Sequence, residues 1–444
     1  MSNEEVMRTF SSRSAAGAAA LSFALLMTGC SSSGSSDSSG ASGGATKAGP
    51  VSMEFWGWAP GYDKITAQWN AAHPDIKVTF KQIPSGAKGG YDQMTNAITA
   101  GKAPCLAQVT YNDIPSMLVK EALMDITPYA SGDTGKYLDW TVAASSAGGK
   151  MYGVPVDTGP MALYYRADLF KKFGIAKPPA TWEEYAADAA TVHAADPKVA
   201  FGTAPQDAYD MAALTWQTGK SWFGTKGESW QVSIDNPGTQ RVAKYWQDLK
   251  DKKLVMNSGN AWDPTFDKAS EAGKVMTFVN AAWAVPGIKG DLKDLAGKWA
   301  VAPMPTWTAG DRTSANSGGS ATSVLTGCKT PKEAARFAAF LSSDPDAVST
   351  GIKVGGLYPA SKAALDNPLL SQGDPYFGGQ KIYDVFKESA ANIPTTWVVG
   401  PTFGQVEADY SDAIGKGGYP QATATVQRKT VEKIKSLGLS VTGG

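Results

Sequence analysis

The sequence predicts an α/β protein. Three observations predict it: short apolar strand-like runs alternate with segments of helical spacing, helix starts carry capping residues, and the composition is that of a folded chain. Hydrophobic residues make up 43% and charged residues 18% of the 444 positions, as in globular proteins and unlike disordered ones. Val51–Trp56 reads as an opening strand. Tyr62, Ile65 and Trp69 then recur at helical spacing until His73-Pro74. Ile76–Ile83 carries a β-branched run, a helix covers Tyr91–Ala100, Leu106–Val109 is a short buried strand, and Pro115–Glu121 is helical. This order predicts a mostly parallel sheet with helices on both faces.

Punctuation is sharper further on. Met161–Tyr165 is a strand, and Thr181-Trp-Glu-Glu184 is a capping box. Asn236-Pro237 supplies a cap followed by Pro in the first turn of a helix reaching about Asp251. Lys274–Val279 is a strand. Thr330-Pro-Lys-Glu333 is a second capping box, opening a helix to about Leu341. From Pro375 the chain is mainly helical, with a last helix from Pro420 to about Leu437.

Length allows two or three domains, or one large one. Lys+Arg and Asp+Glu are both 41, which argues against a nucleic-acid binder resting on a broad basic face. Three Cys exclude a disulfide-stapled scaffold. Two His, His73 and His193, leave little material for a zinc site or a His-based triad, so no metal and no cofactor is expected. Trp, at 14, is nearly as frequent as Tyr, at 16.

The first thirty residues read as an address. Arg8 and Arg13 precede the apolar stretch Ala15–Met27, too short to span a bilayer as a mature helix, which needs roughly 20 residues. A charged start and a short apolar core form a secretory signal. Its end, Leu26-Met-Thr-Gly-Cys30, resembles the bacterial lipobox, in which the Cys is lipidated and becomes the mature N-terminus. Residues 31–49 contain eight Ser and five Gly, a flexible coil spanning about 24 Å. Gly40-Ala-Ser-Gly-Gly44 matches G-x-S-x-G inside this spacer, with no strand before it and no helix after it, and is set aside. No later stretch approaches 18 apolar residues, so the body is expected to be soluble.

Six blocks in order carry a family resemblance. They are Met53-Glu-Phe-Trp-Gly-Trp58; His73-Pro-Asp-Ile-Lys-Val78; Ala100-Gly-Lys-Ala-Pro104 with Lys120–Thr127; Met151-Tyr-Gly-Val-Pro-Val-Asp157 with Leu163–Phe170 and Pro178–Glu184; Gly273–Phe278 with Trp283; and Gly318-Gly-Ser320 with Lys329–Leu341. Together they cover most of residues 51–360. The chain resembles the extracellular solute-binding proteins of sugar ABC importers, the group that includes maltodextrin-binding proteins.

That resemblance implies a two-lobe periplasmic-binding-protein fold of type II. The ligand cleft would lie between the lobes, and the hinge would have three segments, near Asp157–Met161, Ala315–Thr322 and Gly355–Ser361. It divides the chain into a signal peptide (1–29), a lipidated Cys30 with spacer (30–50), a first lobe (51–157 plus 318–358) and a second lobe (158–317 plus 359–444). Interlobe clefts are preferred small-molecule sites, and hinge closure sequesters the ligand. The implied protein is a non-enzymatic receptor, expected to act as a monomer, held to the outer face of the membrane through its lipid anchor alone and delivering a saccharide to importer permease subunits; no nucleic-acid partner is expected.

A sugar offers C–H faces to aromatic rings and hydroxyls to paired donors and acceptors. By resemblance Trp283 is the stacking aromatic of the second lobe. Trp56 and Trp58 close the first strand and are expected to part, one to the core and one, Trp58, to the cleft. Tyr111, Asn112 and Asp113 follow a strand end, where parallel-sheet sites gather; Asn112 or Asp113 could accept hydroxyls or cap the helix at Pro115. Asp207 and Tyr209 resemble the family's acidic-plus-aromatic contact. Trp222 and Trp230 extend an aromatic platform or pack in the core. Gly318, Gly319 and Ser320 let backbone approach the ligand or make a plain hinge turn. Tyr358, Asp157, Trp397 and Phe403 complete the set, the last two placed in the loop before the helix ending near Lys416. Cys105 stands where the family commonly has Asp; Cys105 and Cys328 either pair or are buried thiols. Two other readings compete: a cell-surface glycoside hydrolase, since a Trp-rich cleft and two carboxylates also serve hydrolysis, and a receptor for a non-sugar solute such as a polyamine or iron complex.

Overall fold

The computed structural model describes residues 50–257 and 263–442. The signal segment, Cys30 and most of the Ser/Gly spacer lie outside the described residues.

Two separate sheets organise the body. The larger has five strands in the order Ile76–Gln82, Val51–Gly57, Leu106–Thr110, Ser320–Val324 and Gly153–Pro155. The smaller has three, in the order Thr277–Ala281, Met161–Arg166 and Trp299–Pro303. Both are covered on two faces. In Met161–Arg166, Met161 and Leu163 enter one core while Ala162 and Tyr164 enter another, as a side-chain period of two requires. In the larger sheet Phe55 and Leu106 face one core, and Trp56, Ala107 and Val109 the other.

The larger sheet is mixed and the smaller one antiparallel, correcting the expectation of a mostly parallel sheet. Within the larger sheet, Ile76–Gln82, Val51–Gly57 and Leu106–Thr110 run parallel to one another. Ser320–Val324 is antiparallel to both its neighbours, and Met161–Arg166 to both of its own. The cause is connectivity: Gly153–Pro155 leaves one sheet for the other, and Ser320–Val324 returns, so the two must run in opposite senses. Strand Thr277–Ala281 also starts three residues later than Lys274.

The chain crosses between the sheets at three places that lie side by side. Asp157–Thr158 pairs with Tyr358–Pro359, and Pro160 bridges Asn316. Met161 N–H donates to Ala315 O at 3.0 Å and Ser317 N–H to Gly159 O at 2.8 Å. Asn316 Oδ1 accepts from Gly159 N–H at 2.8 Å.

Helix starts follow the sequence only in part. Thr181 accepts from Glu184 N–H and Asn236 from Thr239 N–H. Thr330, by contrast, makes no capping bond; its Oγ1 faces the sulfurs of Cys105 and Cys328. Those cysteines are joined by a disulfide, 223 residues apart in sequence. The final helical stretch, Phe403–Ser436, is broken at Gly418, whose φ of 75° no helix adopts. Phe403 is therefore the first residue of a helix, not part of the loop before it.

Candidate functional site

The site forms where a strand end of the first lobe meets helix Ala208–Gln217 of the second. On the first lobe, Leu106–Thr110 hands over to Tyr111-Asn112-Asp113. Asp113 stands at the start of helix Ile114–Val119, but its carboxylate makes no capping bond. It accepts instead from Thr110 Oγ1 at 2.7 Å and from Tyr209 Oη, of the second lobe, at 2.5 Å. Thr110 Oγ1 in turn accepts from Tyr91 Oη at 3.1 Å, and the Tyr91 ring meets Trp58 edge-on at 6.0 Å.

Tyr209 lies in helix Ala208–Gln217, which Asp207 caps by accepting from Asp210 N–H at 2.9 Å. Seven residues on, Trp216 shares its helix face. Trp216 meets Trp140 of the first lobe edge-on at 6.1 Å, and Trp140 meets Tyr111 at 5.5 Å. Trp397 stacks on Trp216 at 5.3 Å. An aromatic row thus runs across the seam between the lobes, beside the Tyr209–Asp113 bond.

Carboxyls crowd this seam. Burial raises the Asp113 carboxyl against the pull of its Tyr209, Thr110 and Tyr91 hydrogen bonds. Burial likewise raises Asp207 and, helped by the neighbouring Asp207 charge, lifts Asp210 well above the usual carboxylate range. Glu407 is pushed up to about 7 by burial, then by Asp207 and Asp113. Such groups are acceptors, or donors when protonated, for hydroxyl-bearing ligands. Among the described residues no three His, Cys, Asp or Glu side chains are grouped to hold a metal ion.

Several expected residues belong elsewhere. Asp157 is buried in the hinge, where its Oδ1 accepts from Ser320 N–H at 2.9 Å and Ser320 Oγ at 2.7 Å. Gln108 extends this network, donating to Ser320 Oγ and accepting from Trp58 and Ala59 N–H. Tyr358 is buried in the Asp157–Thr158 ladder. Gly319 has φ +85°, and a Cβ there would lie 2.9 Å from Asp157 O and from the Tyr111 ring. Protein, rather than ligand, is what this glycine approaches; Gly318 (φ +73°) lies against Trp283 in the same way. Trp222 is fully buried, its Nε1 donating to Thr239 Oγ1, and Phe403 is buried beneath Tyr209 at 5.0 Å. Both are core rather than platform. Trp230 is held in a small sheet with Val441–Thr442.

Trp283 remains half-buried at the hinge, with Nε1 donating to Ser317 O at 2.8 Å. Trp56 and Trp58 do not part as expected: residues two apart share a strand face, and both join the same apolar group. Trp56 is the buried one, Trp58 half-buried. Sequence reasoning missed Trp140, Trp216, Gln108 and Glu407 as site or hinge residues. Trp216 had a signal, its i+7 spacing from Tyr209; so did Gln108, a polar residue in the otherwise apolar run Leu106–Val109.

Two lobes, three adjacent crossings and a polar-aromatic seam define a hinged ligand-binding protein. Residues 57–348 match the model of the bacterial extracellular solute-binding protein family, and the chain belongs to that family. It is similar to the galacto-N-biose-/lacto-N-biose I-binding protein of an ABC transporter from Bifidobacterium longum, solved with lacto-N-biose. Identity is 30% and TM-score 0.81, over 89% of this chain and 100% of that one. A binding protein from B. animalis subsp. lactis Bl-04, solved with beta-1,6-galactobiose, gives 27% and 0.80 over the same shares. The arabinooligosaccharide-binding protein of Bacillus subtilis is 24% identical over 71% of this chain and 72% of its own length.

Proposed function

We propose that the chain is a lipid-anchored receptor that binds a short saccharide between its lobes and delivers it to an ABC importer, without transforming it. One observation carries this reading: the lobes meet through a Tyr209–Asp113 hydrogen bond flanked by the row Tyr111, Trp140, Trp216 and Trp397. Aromatic faces beside buried hydroxyl acceptors are what a neutral sugar needs. We assign residues 51–157 plus 318–358 to the first lobe and 158–317 plus 359–444 to the second. Trp58, Tyr111, Asn112, Asp113, Asp207, Tyr209, Trp283 and Trp397 are the proposed contacts, joined by Trp140 and Trp216. Cys30 would carry the lipid, and the spacer would keep a monomeric body near the membrane; among the described residues no helix is long and apolar enough to cross it.

Relatives solved with galacto- and lacto-disaccharides support the saccharide class. A thermal-shift screen against mono- and disaccharides tests it: a ligand raises stability by RT ln(1+[L]/Kd). No shift with any saccharide overturns the reading, and measured turnover of the bound sugar overturns the receptor assignment. Loss of membrane association in Cys30→Ala cells tests the anchor.

A further inference from the structure

Beside Asp210, the second lobe holds a partly open cavity of about 20 Å³, room for one water-sized polar group. Trp246 lines it. This indole is only 2% exposed, and its Nε1 has no hydrogen-bond partner among the described residues. Ring contacts with Trp182, Tyr185 and Tyr245, at 5.6, 6.0 and 5.5 Å, hold it in place. A buried N–H left unpaired is costly, so the wall calls for an acceptor.

Asp210 lies on the same wall, with Gln206 and Thr203. Burial and the adjacent Asp207 charge lift the Asp210 carboxyl well above the usual carboxylate range; a carboxyl accepts hydrogen bonds and, when protonated, also donates one. Met161 and Val279 supply apolar wall. A fixed N–H, a carboxyl and an apolar side suit a neutral hydroxyl on a methylene better than an anion. Three of the wall segments lead to the seam: Met161 directly follows a crossing, the strand of Val279 leads to Trp283, and residues 203–206 lead to Asp207 and Tyr209.

We propose that this cavity is a side pocket of the cleft that receives one hydroxymethyl branch of the bound sugar, with Trp246 Nε1 donating to its oxygen and Asp210 hydrogen-bonding the same hydroxyl. The inference rests on the saccharide reading above. Matched sugars with and without that branch test it: D-galactose with L-arabinose, D-glucose with D-xylose, and cellobiose with xylobiose. Calorimetric titrations use the mature protein, D210N and W246F, with D210N deciding if W246F fails to fold. The wild type should prefer the hexose member of the bound pair. Both variants should lose at least about tenfold in hexose affinity while keeping pentose affinity within about twofold. Equal losses for both members, or unchanged hexose binding because the cavity holds only water, overturn the side pocket and leave the receptor reading standing. No binding of any sugar by the wild type overturns both.

Discussion

Two aspartates show how the hinge and the seam differ. Asp157 and Asp113 are both buried, and both accept from two donors, at least one of them a hydroxyl. Asp157 serves Ser320, and the bond closes a junction between chain crossings. Asp113 serves Thr110 on its own lobe and Tyr209 on the other, so one of its bonds would break if the lobes parted. The same residue type therefore makes a permanent fastening in one place and a separable one in the other. What distinguishes them is whether the donors belong to one rigid body.

The largest effect should come from breaking the permanent fastening. D157A leaves Ser320 N–H and Oγ without their acceptor, and should cost about 2–4 kcal/mol in denaturant unfolding of the ligand-free protein. A loss no greater than that of a surface substitution would erase the contrast with Asp113. The charge state sharpens it further. Burial pushes Asp157 up to about 7, against about 3.9 in an unfolded chain. Between those values the folded state holds a proton the unfolded state lacks, so stability falls as pH rises from about 4 to 7. D157N cannot titrate and should flatten part of that fall; Glu407, also raised to about 7, contributes the same sign and keeps some slope. An unchanged slope in D157N would remove Asp157 as its source.

At the seam, Y209F deletes the cross-lobe donor. Affinity for whichever saccharide stabilises the protein should fall about tenfold, as expected for a hydrogen bond of about 1.4 kcal/mol. The melting temperature without ligand should hardly move. A large drop in ligand-free stability would make this bond permanent too. The smallest expected change is T330A: without a capping bond to lose, it should cost less than about 0.5 kcal/mol, against about 1 kcal/mol for T181A.

The same two positions show what was legible in the sequence. Thr181 and Thr330 share the T-x-x-E pattern, yet only Thr181 caps; the Thr330 hydroxyl lies against the Cys105 and Cys328 sulfurs instead. Element order was readable because periodicity is local. Strand direction was not, since it depends on which sheet residue 320 returns to. Within the site, Tyr209 and Asp113 were readable as residue types at strand and helix ends, but their pairing spans 96 positions. Trp140 carried no local signal; only closure of the lobes brings it to Trp216. Trp222 stayed open between platform and core in the sequence, and the fold, which buries it fully, decides for the core.

The placement of Ser320–Val324 between Leu106–Thr110 and Gly153–Pro155 has a consequence for biogenesis. A chain emerging N-terminus first presents four of the five strands of its larger sheet early, yet Gly153–Pro155 has no strand joining it to the other three until residue 324 appears. All three strands of the smaller sheet lie within residues 161–303. The lobe that begins first is thus the last to complete its sheet, and its disulfide must wait for residue 328. Until then its exposed strand edges are open to mispairing, which makes the middle of the chain the part that can fold ahead of its beginning.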